Sequence, residues 1–315
     1  MKILFYGYGN HAKRIKKYLD EYILIPKSYC FINHNQEKIN NKDCFKTIEE
    51  SLNTFKNFSC AFITSPNAYH LEHLKKCLKN NIPYVYVEKP AFGIEEYFKS
   101  YNFSKNNLNF LQVGYQYNYS KPINDLKKII ETNSNGNLLR LDIFFGKGIS
   151  FKESFRNEWR SKQKEAIAET LGCHLLNTCI FLLGEKGIKS IYTKIKKSSE
   201  NGFYDTYHAC GLTRKAEMFS LTASWGSPLE QKITAYFSDL VWESDMQQIF
   251  KSFPRDCFDE NGYFIKPSTS VEVSEEIGIK PSISSFIDKV LSKKKYQFEF
   301  NNSSLTSELL LKNIY

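Results

Sequence analysis

Along the front of the chain, short unbroken apolar runs alternate with stretches in which apolar positions recur every three or four residues. Residues 2–6, 29–33, 60–64, 84–87 and 109–114 form the runs, and their brevity and continuity predict strands buried on both faces. Residues 11–22, 49–55 and 68–79 carry helical spacing, with Leu71, Leu74 and Leu78 on one face of the last. Strands alternating with helices predict right-handed βαβ units and a parallel sheet.

After about residue 119 the pattern changes. A helix over 122–132 leads through the turn-forming Asn133-Ser134-Asn135-Gly136 into a long strand over 138–145. A polar, basic loop (146–165) precedes an apolar helix over 166–183. The segments 190–195, 207–212, 218–225 and 231–242 have the length and the β-branched or aromatic content of strands in an open antiparallel sheet. Residues 282–291 and 306–314 read as helices. The fold expected is an α/β dinucleotide-binding domain over 1–119 followed by an α+β domain over 120–315, with an open, mostly antiparallel sheet.

Composition acts mainly by exclusion. At 315 residues, 42% hydrophobic and 24% charged, the chain has two domains' worth of ordinary globular sequence. A disordered chain, a collagen-like rod and a small stapled scaffold are ruled out. Apolar stretches such as Cys179-Ile180-Phe181-Leu182-Leu183 fall far short of the ~20 residues of a membrane helix. The N-terminal run is broken at once by Gly7, so no secretory core is expected and a cytoplasmic protein is. The net charge is +9, but the lysines are spread along the chain in no concentrated stripe, so no nucleic-acid partner is expected. Eight cysteines show neither a Cys-x-x-Cys pair nor zinc spacing. They read as small buried hydrophobes in a reducing compartment, and no metal site is expected.

Candidate chemistry begins at Gly7-Tyr8-Gly9-Asn10-His11-Ala12, which follows the first strand and opens the first helix. Gly7 permits a tight turn, Gly9 lets the backbone approach a pyrophosphate, and Ala12 lets helix and strand pack closely. Past the second strand stand Asn33 and His34, with no carboxylate to accept from a ribose 2′-OH and repel a 2′-phosphate. Asn33 can bond either dinucleotide, and His34 or Lys38 could meet a phosphate, so NADP is tolerated on this reading. Ser65-Pro66-Asn67-Ala68-Tyr69-His70 follows the third strand and Glu88-Lys89-Pro90 the fourth, where ligands of open parallel sheets gather.

With Trp159-Arg160 and Gly172-Cys173-His174-Leu175-Leu176-Asn177 further on, these elements stand in an order that resembles the Gfo/Idh/MocA family of NAD(P)-dependent oxidoreductases. The resemblance implies a Rossmann domain that carries NAD or NADP and an open-sheet domain that covers the nicotinamide. It implies that Lys89 bonds the substrate oxygen and that His174 is the general acid/base. It places Gly7, Gly9, Asn10, His11, Ala12, Asn33, His34, Ser65, Pro66, Asn67, His70, Glu88 and Lys89 about the cofactor. Tyr117, Asn118, Arg156, Trp159, Arg160, Thr170 and Asn177 fall where substrate is bound.

The residue types suit a dehydrogenase. Oxidising a secondary alcohol releases a proton, which imidazole can take near neutrality. A lysine cation polarises the developing carbonyl. The chain departs from the family pattern at Thr170 and Asn177, where the family often has Asp, and at Asn118, where it often has Arg. Arg156 and Arg160 could grip a carboxylate or diphosphate bidentately. The expected activity is hydride transfer to or from a secondary carbon of a sugar or nucleotide sugar. An NAD-dependent sugar enzyme that recycles its cofactor and a non-catalytic cofactor- or sugar-binding protein are the alternatives. The resemblance also implies a homo-oligomer paired through the open face of the second sheet.

Overall fold

The computed structural model describes residues 1–33, 43–91, 108–184, 187–197, 202–253, 258–265, 267–273, 278–295 and 303–310. His34 and Lys38 lie outside the described residues, as does the side chain of Trp159. The chain forms two compact units, one of Met1–Tyr115 with Lys280–Ser304, the other of Gln116–Ile279 with Leu305–Tyr315.

The first unit is built on a parallel sheet of β1 (Lys2–Tyr6), β2 (Ser28–Ile32), β3 (Cys44–Phe45), β4 (Cys60–Ile63), β5 (Tyr84–Val87) and β6 (Phe110–Val113). The strand order is β3-β2-β1-β4-β5-β6. This is the doubly wound order, and its reversal between β1 and β4 opens a crevice at the carboxyl ends of those strands. The continuous apolar runs are buried on both faces, as a covered parallel sheet requires. Helices α1 (Asn10–Tyr22), α2 (Ile48–Phe55) and α3 (His70–Lys79) connect the strands. Ala12, Ile15 and Leu19 face inward from α1.

The tail departs from the sequence expectation. The stretch read as part of the second domain forms a helix of Ile279–Ser292 that joins the first unit from Lys280 onward. Its stripe of Ile283, Phe286, Ile287 and Val290 is buried, and Phe286 lies against Phe62, Tyr86 and Phe110. The Gln112 side-chain amide donates to the Ser282 carbonyl at 3.0 Å, and Tyr22 donates to Asp288 at 2.7 Å.

The second unit carries an eight-stranded sheet of β7 (Leu138–Gly146), β8 (Ile188–Lys196), β9 (Thr206–Thr213), β10 (Met218–Ser224), β11 (Glu230–Phe237), β12 (Val241–Ser244), β13 (Gln248–Ser252) and β14 (Thr269–Val273). The order is β14-β13-β12-β11-β7-β10-β9-β8, with β7 and β10 parallel and the other pairs antiparallel. The single strand expected over 231–242 is two. Phe237 N–H donates to the Leu240 carbonyl at 2.8 Å, and the polar Ser238-Asp239 pair turns the chain back between them. The long apolar helix expected over 166–183 opens as a wide, π-type turn over Ala168–Gly172 and continues as α-helix over Cys173–Leu183. That helix packs on β7 and β10, and on the helix Lys121–Thr132. One sheet face is thereby covered, while Tyr192, Leu212, Met218 and Tyr236 stand exposed. No helix among the described residues is long and apolar enough to cross a membrane.

Candidate active-site residues in the two units

In the first unit the turn after β1 depends on Gly7. Its φ is +93°, and a Cβ there would lie 3.1 Å from the Thr64 carbonyl oxygen and 3.2 Å from Ser65 Cα. Both constraints favour glycine alone. Gly9 is extended (φ −76°, ψ −178°) and caps α1 without a side-chain hydrogen bond. A Cβ on Gly9 would meet nothing within 4 Å, so the space beyond the helix's first turn is open. Backbone N–H groups that no side chain caps, at the positive end of a helix, suit a pyrophosphate. Asn10 is exposed at the mouth of this space and Ala12 is buried behind it. Replacing Gly7 with Ala is expected to destabilise the first unit by roughly 1–3 kcal/mol through the forced backbone conformation. A urea melt and an NADH titration check this, with dinucleotide affinity falling alongside stability.

His11 and Glu88 meet across the crevice ends of β1 and β5, with Nε2 2.6 Å from Oε1. The Arg14 guanidinium lies 3.2 Å from His11 Nδ1. Burial pushes the Glu88 carboxyl up, but His11, Lys89 and His70 outweigh it and hold the carboxyl below its ordinary value. Glu88 is thus an ionised acceptor within the crevice. Gly114 passes so close that a Cβ would lie 2.7 Å from the Tyr86 hydroxyl and 3.1 Å from Glu88 Oε1. Asn33 follows β2, its backbone N–H donating to the Phe45 carbonyl at 3.0 Å.

Ser65, Asn67 and Lys89 are half-buried, and Pro66 is exposed, on the turns after β4 and β5. His70 faces the backbone of both turns. The ring is enclosed at 1% exposure, with Nε2 2.8 Å from the Ser65 carbonyl and Nδ1 3.0 Å from that of Pro90.

The second unit gathers a different set. His174 sits in the first turn of Cys173–Leu183 at 8% exposure. The Tyr117 ring stands edge-on to it, with centroids 5.0 Å apart and planes at 75°. Tyr117 also packs edge-on against Phe145, and its hydroxyl accepts from the Gln231 amide at 2.9 Å. Burial raises the Tyr117 pKa against the pull of Gln231 and Gln116, so the phenol stays protonated. Asn118 donates to Asn177 Oδ1 at 2.9 Å, and Asn177 donates to Thr306 Oγ1 at 3.1 Å. The two positions that depart from the family pattern as Asn118 and Asn177 are therefore a matched, neutral hydrogen-bonded pair.

Three further expected substrate residues lie nearby in the chain. The Thr170 hydroxyl donates to the Ala166 carbonyl one turn back, at 2.6 Å. Arg160 pairs with Glu158, and Arg156 is exposed. Arg14, His73, Gln231 and Thr306 escaped sequence reasoning. Of these only His73, three positions after His70 on the same helix, left a signal.

Known proteins resemble parts of this chain. Glucose-6-phosphate 3-dehydrogenase of Bacillus subtilis is 27% identical over 146 residues, which span 44% of this chain and 39% of that protein. The chain thus matches well under half the length of that relative. The structure of an oxidoreductase from Agrobacterium radiobacter, in complex with NAD+, L-tartaric acid and magnesium, superimposes with a TM-score of 0.75 at 13% identity, covering 98% of this chain and 94% of the other. UDP-N-acetylglucosamine 3-dehydrogenase from Acidithiobacillus ferrooxidans gives 0.74 at 11% identity, covering 98% and 95%. At such identities these likenesses establish the fold. Residues 2–115, which hold the glycine turn and the Glu88-Lys89-Pro90 turn, match the model of the Gfo/Idh/MocA oxidoreductase family with the NAD-binding Rossmann fold.

Proposed function

We propose that the chain is an NAD(P)-dependent oxidoreductase acting on a secondary hydroxyl, or the corresponding ketone, of a sugar or nucleotide sugar. The observation that carries this reading is the open space over Gly9 at the uncapped start of α1, within a unit that matches an NAD-binding family. The sugar class follows the relatives, one a sugar-phosphate dehydrogenase and one a nucleotide-sugar dehydrogenase.

When bound, the nicotinamide supplies the acceptor or donor of hydride. Gly7, Gly9, Asn10, His11 and Ala12 shape the pyrophosphate end, with Asn33 toward a ribose and Ser65, Pro66 and Asn67 on the neighbouring turn. No carboxylate stands at Asn33, so a 2′-phosphate is not repelled there. Lys89 stabilises negative charge on the substrate oxygen, and His174 takes or returns the hydroxyl proton. Tyr117, Asn118 and Asn177 offer hydrogen-bonding groups to a polyol. Arg156 and Arg160 would hold an anionic group of the substrate, with Trp159 next to Arg160 in the sequence. The exposed face of the eight-stranded sheet is the surface on which copies of the chain would pair.

Fluorescence titration with NADH and NADPH, after a check for cofactor carried through purification, tests the proposal. Tight binding of either supports it, and the preferred one measures the effect of the missing carboxylate at Asn33. The absence of both binding and co-purified cofactor would overturn it.

A further inference from the structure

Helix α3 opens with two histidines three positions apart, and both hold Ser65. His73 Nδ1 lies 2.8 Å from the Ser65 hydroxyl, and His70 Nε2 lies 2.8 Å from the Ser65 carbonyl. The other His70 nitrogen reaches the Pro90 carbonyl at 3.0 Å. One enclosed imidazole thus spans the turn after β4 and the turn after β5. The residue next to Pro90 is Lys89.

We propose that His70 is the positioning residue for Lys89, fixing the Glu88-Lys89-Pro90 turn to the Ser65-Pro66-Asn67 turn through the two carbonyls. This rests on the reading of Lys89 as a catalytic group. The physical case is one of donors and acceptors. Both partners are carbonyls and can only accept, so the ring holds either one only through a nitrogen that carries a proton. Leucine or phenylalanine would fill the volume but offer neither carbonyl a donor. Burial pushes the ring's pKa below the ordinary histidine value and Lys89 adds to that, against the pull of both carbonyls and of Glu88. The neutral ring donates to one carbonyl at a time, and a second proton closes both bonds.

Substitution followed by amide hydrogen exchange in the cofactor-free chain tests this. His70→Phe is expected to speed exchange by about tenfold or more in the segments 64–67 and 88–91 while strands β1 and β4 stay protected. His70→Gln, which keeps an amide donor, should fall between the two. In steady-state assays His70→Phe should lower kcat by about tenfold, with KM and NADH affinity within about threefold. A merely structural role would instead loosen the whole sheet and lower cofactor affinity with it. Unchanged exchange at 88–91 in either folded variant overturns the proposal. Lys89→Ala separates the two readings: if it keeps full turnover, the role given to Lys89 fails, while exchange at 88–91 still decides whether His70 holds the turn. Should His70→Phe fail to fold, His70→Gln carries the test.

Discussion

Replacing His174 with alanine is expected to cut turnover at least about a hundredfold while leaving NADH affinity within about twofold. The split follows from where the residues sit. His174 belongs to the second unit, beside Tyr117, whereas the glycine turn, His11 and Glu88 belong to the first. Imidazole is the group whose proton exchanges most readily near neutrality, and a positioned one accelerates proton transfer by ~10²–10⁴. The ring is nearly enclosed, so its loss leaves a small cavity that could lower stability without any chemical cause. His174→Asn controls for this, because it keeps a polar side chain of moderate size but no proton that titrates near neutral pH. His174→Asn should melt close to the parent, and both variants should be similarly inactive. The limb of the pH–rate profile that reports the proton acceptor should vanish in both. Turnover within about threefold of the parent would remove His174 from the mechanism.

The parallel sheet was legible because each of its longer strands is an unbroken apolar run ending at a turn residue, as Lys2–Tyr6 does at Gly7. The outer strands Gln248–Ser252 and Thr269–Val273 went unread. Val271 and Val273 are exposed, so no core enforces an alternation there. Between Phe237 and Leu240 only Ser238 and Asp239 mark the reversal, too little to interrupt an apolar run. In the site, neighbours along the chain were readable as motifs, such as Ser65 with His70. Partners brought from afar were not. Gln231 is 114 positions from Tyr117 and Thr306 is 129 from Asn177, and a lone Gln or Thr carries no pattern. The Asn118–Asn177 bond shows the same limit from the other side. Two departures that look independent in sequence prove to be one contact.

Replacing Phe286 with alanine is expected to cost about 3–5 kcal/mol, the range for truncating a fully buried aromatic. Its exposure is 0%, and its ring meets Phe62 at 5.2 Å and Tyr86 at 5.6 Å, both edge-on. Helical spacing showed that 282–291 has an apolar face, but a stripe does not name its partner. Had the tail belonged with the second unit, this substitution would leave the first unit's unfolding untouched. Docked as it is on the sheet of β4, β5 and β6, the helix should make the urea midpoint of the first unit fall, with the slope unchanged. A double-mutant cycle with Phe62→Leu isolates the ring contact, because residues in direct contact couple by about 0.5–3 kcal/mol and distant ones add. Strict additivity, or a cost below about 1 kcal/mol for Phe286→Ala, would mean that the tail helix does not seat on this sheet.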